Sequence, residues 1–231
     1  MGNGSLNAFL VRGAEFAGEY EFPVIASCNE IPDDITTFSR ARKSSEYKKF
    51  ICFYERDKEF ENVWTHPREY LRMFRRFRGI IGFDYSLYRD MPLADQIFNT
   101  NRGLKLCYWY GKNGVRVIPN VRFGDERTYG FCFDGIPENS VIAIGTHGNT
   151  KDKENLGYML KDFSATIRRL HPSRIIIYGS TPLEITALLD GADTAYSVYK
   201  SDTGRVFSRR KLKPARGPLL PWDEAALREG A

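Results

Sequence analysis

Two stretches of the chain, Val141-Ile142-Ala143-Ile144 and Ile175-Ile176-Ile177, are apolar at every position. A strand with one wet face alternates apolar and polar residues. A strand that does not alternate is covered on both faces, as in parallel sheets flanked by helices. Similar runs recur over residues 22–26, 50–55, 79–85, 116–121, 140–146, 174–179 and 194–199. Helical stripes lie between several of them. Leu93, Ile97, Leu104 and Tyr108 form one, bounded by Gly111 and Gly114, and Leu156, Leu160, Phe163, Ile167 and Leu170 form another, stopped by Pro172. Thr181-Pro182-Leu183-Glu184 reads as a capping box with proline at the first helical position, and Gly191 closes that helix. Repeated strand–helix units predict an α/β fold with a parallel sheet, a small or incomplete TIM-like (β/α) barrel, with an open doubly wound sheet as the alternative. The expected organisation is a flexible segment over residues 1–19, one α/β domain of catalytic type over 20–204, and a basic, proline-containing tail over 205–231.

A chain of 231 residues buries roughly 70% of its unfolded surface and needs no covalent staples. Cys28, Cys52, Cys107 and Cys132 are far apart and show no CxxC or Cys/His spacing. Buried free thiols in a reducing cytoplasm are therefore expected, with no zinc site and no disulfide framework; no metal or cofactor is expected either. The N-terminal MGNGSLNAFL has neither the basic region nor the apolar run of a signal peptide, and no run is long enough to cross a membrane.

The formal charge is +5. Arg205, Arg209, Arg210, Lys211, Lys213 and Arg216 supply six cations with no acid between Thr203 and Trp222, so the rest of the chain sums to −1. This tail can bind phosphate backbones or be simply solvated. Arg68, Arg72, Arg75 and Arg76 cluster on one side of a helix predicted over residues 67–77, a second candidate backbone contact, though a solvated face is the commoner reading.

Parallel α/β folds gather function just beyond the C-terminal ends of their strands. Four such ends carry unusual residues. IIGFDYSLYRD places Asp84 at a strand end, followed by Ser86; the carboxylate there can serve as nucleophile or general base. VRVIPNVRFGDER places Asn120, whose amide can read a ligand, and then Asp125, a second candidate catalytic carboxylate, with Glu126 and Arg127. AIGTHGN offers Gly145 and Gly148 for close backbone approach beside His147, whereas His66 and His171, each before a proline, read as structural. IIIYGSTPLE leads through Tyr178, Gly179 and Ser180 to a helix start that can hold a phosphate. The ordinary alternatives at these places are charged turns, salt bridges and plain helix caps.

FDYSLYRDMPLADQIFN, YGKNGVRVIPNVRFGDERTYGFCFDGIP and IIIYGSTP together resemble a bacterial and phage family defined only as a domain of unknown function, over most of residues 79–191. That resemblance implies a phage or mobile-element origin. The order of motifs also resembles the tRNA-guanine transglycosylase superfamily, with its phage DNA-modifying relatives, which are TIM barrels that exchange guanine for a deazaguanine. On that resemblance Asp84 in FDYS stands at the Asp–Ser–Gly–Gly-type strand end, Asn120 at the base-reading glutamine, and Gly145 in AIGTHG at the base-binding turn. The departures are plain. Tyr196 stands where the superfamily has its aspartate nucleophile, and its zinc-binding cysteines and histidine have no counterpart.

The resulting expectation is an enzyme acting on nucleic acid, DNA ahead of tRNA, or on a nucleobase-type ligand, by base exchange at a glycosidic bond. Asp84 or Asp125 would be nucleophile or base; Ser86, Asn120, Gly145, His147, Tyr178, Gly179 and Ser180 would bind substrate; Arg72, Arg75, Arg76, Arg209, Arg210 and Lys211 would track the backbone. Two other readings stay open: a DNA-binding accessory protein without catalysis, and a metal-dependent nuclease using Asp84, Asp125, Glu126 and Asp134.

Overall fold

The computed structural model describes residues 6–147, 150 and 152–201. Expected flexible, residues 6–19 instead pack onto the body: a 3-10 helix, Ala8–Val11, buries Leu10 completely, and β1 (Phe16–Ala17) pairs antiparallel with β2 (Phe22–Pro23). Phe22 thus belongs to a small ribbon and not to the parallel sheet, which begins at β3 (Ile35–Thr37). A short α1 (Phe38–Ala41) leads to β4 (Phe50–Cys52). α2 (Glu61–Thr65) and α3 (Pro67–Phe74) precede β5 (Gly79–Ile81). α4 (Leu93–Lys112) runs to β6 (Val117–Ile118), then come β7 (Val141–Gly145), α5 (Lys153–Leu170), β8 (Arg174–Tyr178), α6 (Leu183–Gly191) and β9 (Tyr196–Tyr199).

The strands β3-β4-β5-β6 form one parallel sheet and β7-β8-β9 another. Asn120 joins them: it bridges in parallel to Ala143, with Val121 N–H donating to the Ala143 carbonyl at 2.9 Å and Ala143 N–H to Pro119 at 2.8 Å. Seven parallel strands in chain order are reminiscent of a β/α barrel wall. Among the described residues no strand ladder joins β9 to β3, although the Tyr199 hydroxyl donates to the Pro32 carbonyl.

The runs that do not alternate now have a reason. Ile142, Ile144, Ile175 and Ile177 face the larger core, against the helices. Their neighbours face a second cluster to which every one of the seven strands contributes: Ile35, Phe50, Cys52, Ile81, Ile118, Val141, Ala143, Ile176 and Tyr178, with Tyr199 against it. Period-2 alternation is present, but both faces are dry.

α5 starts on Asp152, whose carboxylate accepts from Asn155 N–H at 2.8 Å, and stops at His171, left-handed at φ 43°, just before Pro172. The capping box expected at Thr181 does not form: Pro182 is the cap residue of α6, and the buried Thr181 hydroxyl has no partner among the described residues. Cys52, Cys107 and Cys132 are buried free thiols and Cys28 is half-buried. No helix among the described residues is long and apolar enough to cross a membrane.

Candidate functional site

The C-terminal strand ends open into a cleft of about 950 Å³. β4 sends Tyr54, Glu55, Arg56 and Asp57 into it; β5 sends Asp84, Ser86 and Tyr88; β6 sends Arg122; β7 sends Gly145 and His147.

At its floor the side chains form a chain of hydrogen bonds. The Tyr54 hydroxyl donates to Asn120 Oδ1 at 2.8 Å, and Asn120 Nδ2 donates to Asp84 Oδ1 at 2.9 Å. The Arg122 guanidinium lies 3.4 Å from the other carboxylate oxygen of Asp84. Tyr54 also stacks on Tyr178, with ring centroids 5.0 Å apart and planes 17° from parallel. Two glycines make this geometry possible. At Gly82 an added Cβ would meet the backbone nitrogen of Asn120 at 2.8 Å, so a side chain there would hold the ends of β5 and β6 apart. At Gly145 it would strike the Tyr54 ring at 2.5 Å. The close approach expected at Gly145 is therefore made by Tyr54, a part of the protein.

Asp84 is 8% exposed. Burial raises its carboxyl above the ordinary range; Arg122 and the Asn120 hydrogen bond pull the other way, and the nearby Asp57 adds to the rise. Tyr54 is pushed well up, first by burial and then by Asp84, so it stays a proton donor. Behind Arg122, α5 contributes a second buried acid. Asp162 accepts from the Tyr129 hydroxyl at 2.7 Å, and burial pushes its carboxyl up to about 6 against the pull of Tyr129, Arg122 and Arg89. Arg122 Nε is buried with no hydrogen-bond partner among the described residues.

The structure brings together Asp84, Ser86, Asn120, Gly145 and Tyr178 around this chain of contacts, with exposed His147 on the cleft wall. Ser86 is held by Asp57, its hydroxyl donating at 2.8 Å, and Asp57 also lies 3.7 Å from the buried Arg102. Asn120 spends its acceptor on Tyr54 and an N–H on Asp84, so it orients the carboxylate more directly than it reads a ligand.

Asp125 is elsewhere engaged. It caps the 3-10 helix Glu126–Gly130, accepts from Arg127 N–H at 2.9 Å and pairs with the Arg127 guanidinium at 2.8 Å; that hydrogen bonding lowers its carboxyl, and it does not line the cleft. Glu126 is exposed and paired with Lys161 at 2.6 Å. No group of three or more potential metal ligands gathers among the described residues, so Asp84, Asp125, Glu126 and Asp134 do not form one. Gly179 and Ser180 pack against the end of β7 and do not line the cleft: Gly179, at φ 133°, donates to Tyr199, and the Ser180 carbonyl accepts from Thr146 at 2.7 Å. Arg72, Arg75 and Arg76 lie on α3 and in the turn that leads to the start of β5, away from the cleft lining. Arg209, Arg210, Lys211 and Gly148 lie outside the described residues.

Sequence reasoning missed Tyr54, Glu55, Asp57 and Asp162. Tyr54-Glu55 follows an apolar run as Asp84 does, and that signal was there to use. Asp162 sits inside a helical stripe, where an acid reads as solvated.

The family model described as "Domain of unknown function (DUF4417)" matches residues 14–192, most of the chain and every element from β1 to α6. The chain belongs to this family. Among similar proteins, the Gene 1 protein of Mycobacterium phage D29 is 27% identical over 164 residues, covering 69% of this chain and 60% of that protein. The Gene 1 protein of Mycobacterium phage L5 is 28% identical over 171 residues, covering 71% of this chain and 73% of that one. The chain thus spans less than two thirds of the D29 protein's length. The expected tie to phage proteins is met. No solved structure matches.

Proposed function

We propose that the cleft is an active site for transfer or cleavage at the glycosidic bond of a nucleobase-bearing ligand, with Asp84 as nucleophile or general base. The observation that carries this reading is the setting of Asp84: a buried carboxylate at a strand end, raised by burial yet aimed by Asn120 and Arg122. Such a group is basic enough to take a proton and anionic enough to steady an oxocarbenium-like centre. Glu55, Asp57 and Glu59 line the same cleft, against Arg56 and Arg122. The excess of carboxylates suits the N–H edge of a base and a developing positive sugar, and disfavours a string of phosphates in the cleft itself. Glu55, held by Ser39 N–H at 2.9 Å, is the better second carboxylate than Asp125, and would protonate the leaving base or activate water.

Base exchange of the tRNA-guanine transglycosylase type, on DNA ahead of tRNA, is one form of this chemistry. The order of FDYS, VIPN and AIGTHG supports it, and Tyr196 in place of the nucleophilic aspartate argues that Asp84 would have to carry that role.

The test is chemical. Purified protein is incubated with DNA, tRNA and free nucleosides, with and without labelled guanine and with chelator present, and free or exchanged base is measured. Release or exchange that survives the chelator supports the reading. Neither release nor exchange from any of the three abandons it.

A further inference from the structure

We infer that the face formed by the α1–β4 connection and α3, at the end of the sheet opposite the cleft, is a docking surface for the phosphate backbone of nucleic acid. The charge balance points to it. Residues 40–49 carry five cations and one acid, and residues 67–78 do the same, so 22 residues hold a net +8. With the six cations of residues 205–216 set aside as well, the remainder of the chain sums to −9. The folded body therefore carries its own strongly basic region, separate from the tail.

The two basic segments are one surface in space. The Arg76 guanidinium lies 4.2 Å over the Tyr47 ring and hydrogen-bonds its hydroxyl. Arg78 N–H donates to the carbonyls of Tyr47 and Lys49 at 2.7 and 3.2 Å. Beneath, Phe38 packs on Tyr70 and Phe74, and Arg42 lies 5.9 Å over the Phe38 ring. Arg42, Lys43, Lys48, Arg72, Arg75 and Arg76 are all exposed, and none has an ion-pair partner among the described residues. At the edge of this face Lys49 pairs with Asp34 and Glu46, and Arg78 shares Glu30 with Arg116; the six cations named above have no such partner among the described residues. Six unpaired cations on one face repel each other; a duplex, with one negative charge per about 1.7 Å of axis, is the complementary partner.

Position separates this surface from the chemistry. Lys49 and Arg78 immediately precede β4 and β5, whereas Asp84 follows β5. Six residue steps of extended chain, roughly 20 Å at strand rise, separate Arg78 from Asp84. Docking on the basic face thus stands independently of what the acidic cleft does.

The test is binding of the full chain to a labelled random-sequence duplex, by fluorescence anisotropy across a salt series. A triple variant, Lys43→Glu, Lys48→Glu and Arg72→Glu, is expected to bind at least about tenfold more weakly and to lose about 0.9 in salt slope for each contact removed. Glutamine at the same three positions should give a smaller loss in the same direction, and base release from a free nucleoside, the cleft's own readout, should not change. Wild-type affinity in the glutamate variant would overturn the proposal, above all if Arg209→Glu, Arg210→Glu and Lys211→Glu abolish binding instead. So would tight binding to phosphatidylserine vesicles without binding to the duplex.

Discussion

Gly145 lacks a side chain because the Tyr54 ring occupies the place where one would go. Gly145→Ala would push that ring off Tyr178 and away from Asn120, leaving Asp84 without its aligning amide. A loss of about 1–3 kcal/mol is expected for such overpacking, checked by urea unfolding, together with lower turnover in any reaction that depends on Asp84. Asp162 supplies a different kind of test. Its carboxyl rises from 3.8 to about 6 on folding, chiefly by burial. Below pH 4 both folded and unfolded chains hold the proton. Between about 4 and 6 only the folded chain does, so stability falls as pH rises through this window and stays lower above it. Asp162→Asn should make the fall shallower by up to about 3 kcal/mol, read as the difference in unfolding free energy between pH 4 and pH 6.5. Asp84 and Asn120 were legible because an acid and an amide interrupt apolar strand ends. That the amide serves the acid was not legible, since a β5–β6 contact depends on sheet register. The placement of Asp125 outside the cleft was not legible either: its carboxylate is engaged by its own turn and by Arg127, two residues on.

At the level of elements, six of the seven parallel strands follow from apolar runs and α4 and α5 from apolar stripes, whereas α6 follows from Pro182 and Gly191 and forms there without the capping box. β3 escaped because it is three residues long and follows Asp33-Asp34, and its barrel-like neighbours, not its composition, make it a strand. The strand expected at 22–26 fails as a wall strand because it pairs with β1 as a ribbon. The packing that holds β4 and β5 to α1 and α3 centres on Phe53, which is fully buried, stacks on Phe83 at 4.1 Å and on Phe38 at 5.5 Å, and meets Phe60 and Phe74 edge-on. Because Tyr54 is its chain neighbour, this cluster also sets where the floor of the cleft begins. Phe53→Ala should cost about 3–5 kcal/mol in chemical denaturation, with the enclosed aromatic neighbours unable to collapse fully into the space.

Across the whole molecule the charge is divided by end. Carboxylates of Glu55, Asp57, Glu59 and Asp84 outnumber Arg56 and Arg122 at the C-terminal strand ends; at the other end Glu30 and Asp34 pair with Arg78, Arg116 and Lys49, and Arg42, Lys43, Lys48, Arg72, Arg75 and Arg76 remain without an ion-pair partner among the described residues. Reading net charge along the chain gave the tail the entire positive excess; only the folded arrangement shows residues 40–49 and 67–78 as one basic surface set against an acidic remainder. Membership of DUF4417 covers the elements that build the cleft, so the arrangement around Asp84 belongs to the matched region and not to the flanking segments. The proposed chemistry makes Asp84 the reactive group, and the most direct measurement compares kcat/KM for base release or exchange in Asp84→Asn and Asp125→Asn. A loss of about 10²–10⁴-fold is expected for Asp84→Asn, the range for removing a proton-transferring or nucleophilic carboxylate, with Asp125→Asn within a few-fold of wild type. Full activity in Asp84→Asn with activity lost in Asp125→Asn would contradict it.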